Sequence, residues 1–221
     1  MIKIYINDVL KTALPSIVLG CIQAKVTVKE SSLNLWDNIE KEIISIENNY
    51  DLSEVLEIHE IKKSREAYKK LGKDPSRYRL SSESLFRRIA KGNGLYKVNN
   101  IVEINNLISL SSRLPVGTFD IENIDNEIYF TKGKEGEYYD GIGRGPVNLF
   151  NLPVFEDSQG KFGSTTSDST RAMIKETTSE IFMVIISFEG ENNMDGHLEH
   201  AKNLLREFAD GKDIETKIVR G

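Results

Sequence analysis

Twelve consecutive residues, GKFGSTTSDSTR at 160–171, carry two glycines, six hydroxyl side chains, Asp168 and Arg171. Backbone and hydroxyl hydrogen bonds from such a run can hold a polar ligand, with Asp168 or Arg171 meeting a charged amino or carboxylate group. The competing reading is a Ser/Thr-rich loop whose side chains satisfy their own backbone. A second candidate is GIGRGP at 141–146, where backbone N–H groups can cradle an anion and Arg144 adds a charge. It is not a P-loop and precedes no clear helix, so a plain turn competes with that reading.

The formal net charge of −5 over 221 residues gives no global attraction to nucleic acid. Its distribution is uneven: between Lys62 and Lys91 there are eleven basic residues and three acidic ones. An acidic body can present such a basic stripe to phosphates, although a solvated helix face paired with neighbouring carboxylates has the same composition. His197 and His200 stand at i, i+3, a spacing that can bind metal, but no cysteine is near and Glu199 points about 100° away from His200 and about 160° away from His197. They are expected to be solvated, as is His59, and no metal or other cofactor is assigned. Cys21 lies in an apolar run without a neighbouring histidine or clustered cation, which marks a core residue rather than a nucleophile. One cysteine excludes an intrachain disulfide framework, and HExxH, paired CxxC and GxSxG motifs are all missing. The opening MIKIYINDVLK lacks signal-peptide features, and no apolar run, Ile17–Ile22 included, is long enough to span a membrane. A cytoplasmic protein is expected.

These candidates need elements to position them, and the stretch at 99–120, NNIVEINNLISLSSRLPVGTFD, organises the rest. Ile101, Ile104 and Ile108 recur at helical spacing with Leu107 and Leu114 beside them, while Asn105, Asn106, Ser109 and Ser112 fall largely off that flank. Pro115 stops the helix, Gly117 permits close approach, and Val116, Thr118 and Phe119 begin a strand. Ahead of it, strands are expected at 2–6 and 16–28, and helices from Asn7 or Asp8 to about Leu14, over 32–48, over 51–71 and over 82–90. After it, short strands are expected at 121–124, 127–131, 138–140, 149–155 and 171–174, with KGKEGE at 132–137 as a hairpin. EIFMVIISF at 180–188 reads as a buried central strand, followed by a helix over 193–209 and a strand over 214–219. No internal repeat or linker interrupts this order, which implies an α+β chain with helices mainly in its first half.

The spacing of Asn99, Glu103, Asn106, Leu110, Pro115, Phe119 and Asp120 resembles the signature of the B3/B4 domain of the phenylalanyl-tRNA synthetase beta chain. Two further blocks, SRYRLSSESLFRRIAKGNGLYKVN at 76–99 and GKFGSTTSDSTRAMI at 160–174, are similar to the free-standing form of that domain. The resemblance spans residues 65–190. It implies a three-layer (β/β/α) sandwich with a helical N-terminal part, formed as one domain over 1–221, with residues 1–60 as an addition outside the best-matching core. In the synthetase this domain binds the 3′ end of mischarged tRNA and hydrolyses the aminoacyl ester. Carried over, the resemblance implies a pocket of Asn106, Pro115, Gly117, Thr118, Phe119, Asp120, Gly163, Ser164, Thr165, Thr166, Asp168 and Arg171. Phosphate contacts fall to Arg77, Arg79, Arg87, Arg88, Lys91 and Arg144.

The sequence departs from the synthetase pattern at two places. Gly117 stands where that pattern has a histidine, and GSTTS at 163–167 replaces a loop containing a substrate-sensing glutamate. Ester hydrolysis does not demand a side-chain base, because a positioned water and the tRNA ribose hydroxyl can share the work. No residue is therefore assigned a catalytic role. Two functions follow: a tRNA-associated deacylase that removes a wrong amino acid in trans, or a non-catalytic module that binds a free amino acid or similar small ligand.

Overall fold

The computed structural model describes residues 1–191 and 193–221. Strand β1 (Lys3–Ile6) turns Ile4 and Ile6 inward and Lys3 and Tyr5 outward. Helix α1 (Asp8–Ala13) starts where the Asn7 side chain accepts the Val9 N–H at 3.1 Å. β2 (Val18–Lys25) follows, so both strands expected from the local pattern form, and the N-terminal part that the resemblance makes helical is only partly so. α2 (Leu33–Asn49) is capped by Ser32, whose hydroxyl accepts the Leu35 N–H. The single helix expected over 51–71 is broken, because the Asp51 carboxylate takes the Ser53 and Glu54 N–H groups and turns the chain. A 3₁₀ turn at Glu54–Glu57 and α3 (His59–Leu71) stand in its place, and α3 ends on Gly72 in the left-handed region. α4 (Ser81–Ile89) leads to α5 (Asn100–Ser112), capped by Asn99.

The second half contains β3 (Val116–Asp120), β4 (Glu127–Lys132), β5 (Tyr138–Gly141), β6 (Gly145–Asn148), β7 (Pro153–Asp157), β8 (Gly160–Ser164), β9 (Glu180–Ser187), α6 (Met194–Phe208) and β10 (Lys212–Arg220). One four-stranded sheet has the order β1-β4-β7-β8, another has the order β10-β2-β9-β3, and β5 and β6 form a separate ribbon. Alternation along β9 explains its unbroken apolar sequence. Phe182, Val184 and Ile186 pack with Phe130, Phe155 and Phe162 of the facing sheet, while Ile181, Met183 and Ile185 pack with residues of α5 and α6. The fold is thus mixed α+β, with one core between the two sheets and another between the second sheet and the helices. A third cluster joins α2, α3 and α4 to Leu110 on the far side of α5.

Three local expectations are corrected. Residues 121–123 and 170–172 are 3₁₀ turns, not strands, each opened by a side-chain cap from Asp120 and Ser169. KGKEGE at 132–137 is a crossing from β4 to the ribbon, because β4 pairs with β1 and β7 rather than β5. α5 is buried nearly all round. Ser109 and Ser112, expected off its apolar flank, are enclosed with their hydroxyls donating to the Leu114 and Ile108 carbonyls at 2.7 Å each.

Candidate functional site

β8 and the residues after it form a self-braced loop. The Ser164 hydroxyl donates to the Ser167 carbonyl (2.9 Å) and accepts the N–H groups of Thr166 (3.3 Å) and Ser167 (3.2 Å). Tyr68, fully buried on α3, bonds the hydroxyls of Thr165 and Thr166, and Tyr139 donates to the Ser167 carbonyl at 2.6 Å. Burial pushes both phenols well above their ordinary value, so they stay protonated at neutral pH. The hydroxyls of Ser164, Thr165 and Thr166 are thereby engaged inside the protein, the first by the loop itself and the other two by Tyr68.

Asp168 closes this loop and differs from its neighbours. Its Oδ1 accepts the Ser164 N–H at 3.0 Å, and no hydrogen bond from any described residue reaches Oδ2. A Cβ on Gly117 would lie 3.6 Å from Oδ2, and one on Gly163 would lie 3.1 Å from Oδ1. Both glycines have one cause: the tip of the Phe119 ring fills the space, 2.8 Å and 2.5 Å from those hypothetical carbons. Phe119 is wedged edge-on against Phe155 and Phe162, with ring centroids 5.4 and 5.0 Å away. Burial raises the Asp168 carboxyl to about 7, with the Ser164 N–H pulling the other way.

Thr118 lies on the opposite face of β3 and donates to Asn105 Oδ1 at 2.9 Å; Asn106 is next to it on α5, also half-buried. β3 is the edge of its sheet, so the Gly117–Asp168 group and the Thr118–Asn105 group flank one open strand edge. The remaining pocket candidates have structural duties. Both oxygens of buried Asp120 are taken, by the Thr178 hydroxyl (2.9 Å) and the Glu122 N–H (3.1 Å). Arg171 binds Asp157 (3.0 Å) and the Gly160 carbonyl (3.1 Å), stapling the β7–β8 turn. Pro115 opens β3, and its carbonyl accepts the Ile186 N–H.

The basic stretch divides in the same way. Arg65 and Arg87 converge on Glu83, which is 1% exposed, at 2.7 and 4.0 Å. Buried Lys73 donates to the Asn148 and Phe150 carbonyls, and burial lowers its pKa to about 8. Arg88 stacks on Tyr96 at 3.7 Å from the ring centroid. Arg77, Arg79, Lys91 and Arg144 are exposed. Arg144 sits in the turn of the β5–β6 hairpin, where Gly143 and Gly145 take positive φ, and two of that turn's N–H groups are already bonded to the Asp168 and Gly141 carbonyls. GIGRGP is therefore a hairpin turn that presents Arg144, with little backbone left to cradle an anion.

Two contacts tie these cations to the loop. The Ser81 N–H donates to the Thr165 carbonyl (2.9 Å), two residues past Arg79, and the Ile142 N–H donates to the Asp168 carbonyl (3.0 Å), two residues before Arg144. The segment bearing Arg77 and Arg79 and the hairpin bearing Arg144 thus both border residues 164–168. Sequence reasoning missed Asn105, Tyr68 and Tyr139 as contributors. Tyr68 had one usable signal, a large aromatic at core spacing from Ser64 and Leu71 in an otherwise charged helix. Cys21 is buried with its thiol pushed up to about 12, which leaves it chemically inert.

Residues 63–204 match the B3/4 domain family. No curated protein matches the sequence. Among solved structures, an N-terminal fragment of the phenylalanyl-tRNA synthetase beta-subunit from Pyrococcus horikoshii is similar, with a TM-score of 0.48 and 13% identity over 99% of this chain and 54% of that one. The chain therefore spans about half the length of that fragment. No helix among the described residues is long and apolar enough to cross a membrane.

Proposed function

We propose a function from one premise: the chain belongs to the B3/4 domain family. It acts on the acceptor end of tRNA in the cytoplasm and hydrolyses the ester that joins a wrong amino acid to it. Water adds to the ester carbonyl, the bond to the ribose oxygen breaks, and that oxygen takes a proton, leaving a free amino acid and an uncharged tRNA. The ribose hydroxyl beside the ester assists the proton transfer. Asn106, Gly117, Thr118 and Asp168 border the aminoacyl group, with Asn105 orienting Thr118. Arg77, Arg79 and Arg144 meet backbone phosphates.

One observation supports this reading most: two segments that bear exposed arginines are tied to the loop that holds the site's half-buried carboxylate, through the Ser81–Thr165 and Ile142–Asp168 hydrogen bonds. A ligand with a phosphate chain and a short polar end suits that arrangement. The test is a deacylation assay with a panel of correctly and wrongly charged tRNAs, together with tRNA binding at increasing salt. Loss of amino acid from at least one mischarged tRNA and a steep fall in affinity with salt are expected. Stabilisation by free amino acids without deacylation of any tRNA would select the non-catalytic binding role instead.

A further inference from the structure

We infer that Asp168 Oδ2, set beside Gly117 above the tip of the Phe119 ring, is the seat for the α-ammonium group of the aminoacyl ligand, so that the substrates are esters with an unblocked α-amine. This inference deepens the reading given above and rests on it for the identity of the ester. Three observations lead to it. Oδ1 is committed to the Ser164 N–H while Oδ2 has no hydrogen-bonding partner among the described residues, so one acceptor is left over. No lysine or arginine among the described residues forms an ion pair with Asp168, unlike Glu83 or Asp157, so its charge is uncompensated. The carboxyl lies beside Gly117 and Gly163, whose Cβ positions the tip of the Phe119 ring fills, and it is partly withdrawn from solvent, where a cationic hydrogen-bond donor gains more than in water.

A divalent metal is the wrong occupant. Calcium takes six or more oxygen ligands, and the described residues contain no group of three or more metal-binding side chains. A single free oxygen matches a single charge with N–H donors. The position also fits the α-amine better than a cationic side chain. Asp168 lies in the loop that both arginine-bearing segments touch, the ester must follow directly on the phosphate chain, and the α-amine is one carbon from the ester carbonyl. Burial has already moved this carboxyl toward the neutral form, and an ammonium group beside it restores the ionised one.

The test uses a panel of L-amino acid amides, which present the α-ammonium without a hydrolysable ester, each beside its N-acetyl derivative. Binding is read by calorimetry and thermal shift on wild type and on Asp168→Asn, which keeps the Oδ1 acceptor and loses the charge. At least one amide is expected to bind roughly tenfold or more tightly than its N-acetyl partner. The Asn variant should fold and bind both forms with equal, weak affinity. Equal binding of the two forms by wild type, retained discrimination by Asp168→Asn, or no binding by any amide would overturn the inference. A wild type that selects free amines but deacylates no charged tRNA would refute the hydrolytic reading and leave this seat standing. Hydrolysis of N-acetylaminoacyl-tRNA as fast as the unblocked form would do the reverse.

Discussion

Asp120 and Asp168 both stand beside strand β3, one as its last residue and the other across from Gly117. Every acceptor of Asp120 is used inside the protein, by a threonine hydroxyl and a backbone N–H. Asp168 uses one oxygen and leaves one free. The same contrast recurs among the cations, where Arg65, Arg87, Arg171 and Lys73 are engaged with protein acceptors and Arg77, Arg79 and Arg144 stand exposed. Residue type alone does not separate the two sets. What separates them is whether the fold has already satisfied the group, since a buried polar atom with its partners in place has little to gain from a ligand.

The largest effect should come from the satisfied set. Glu83→Ala leaves Arg65 and Arg87 facing each other without a counter-charge, and should cost roughly 3 kcal/mol in denaturant unfolding. A change within 0.5 kcal/mol would mean that the pair is not holding α3 to α4. Asp120→Ala should cost about 2 kcal/mol by stranding the Thr178 hydroxyl and the Glu122 N–H, while the folded fraction binds ligands as before. Weakened ligand binding by that folded fraction would place Asp120 in the other set.

Charge reversal at Arg77, Arg79 and Arg144 together should leave the melting temperature unchanged. It should lower the log–log salt slope of tRNA binding by about 2, since each lost phosphate contact removes somewhat less than one unit. Lys73→Met serves as the contrast and should leave that slope alone, because its ammonium is turned onto carbonyl oxygens.

The last effect, read on a different axis, is a pH dependence. The Asp168 carboxyl titrates near 7 in the folded protein and near 3.8 in the unfolded chain, so between those values the folded state holds a proton that the unfolded state has released. Stability from this group is therefore full below about pH 4 and declines as pH rises through 7. Asp168→Asn, neutral throughout, should melt a few degrees higher than wild type at pH 8, with the gap closing at pH 4. A gap independent of pH would contradict the burial of this carboxyl.

Much of the helical framework was legible because its signals are local. α2 and α5 form where the helical spacing of their apolar residues places them, and the unbroken apolar run of β9 follows from burial on both faces. β8 was hidden because GKFGS has the composition of a turn, and only pairing with β7 makes it a strand. The roles of Asp120 and Arg171 were hidden for another reason. Their partners lie 58 and 14 residues away, and no spacing rule reports a contact made by the tertiary fold. Asp168 stands out in the sequence by residue type alone, whereas the free oxygen that distinguishes it from Asp120 emerges only from the hydrogen bonds around it.

The most direct measurement is the release of amino acid from a panel of mischarged tRNAs by wild type, Asp168→Asn, and the variant reversed at Arg77, Arg79 and Arg144. Release by wild type from at least one tRNA, slowed in both variants while each keeps its fold, is the predicted result. If no tRNA in the panel is bound or deacylated by wild type, the loop at 164–168 is not a site of action on charged tRNA.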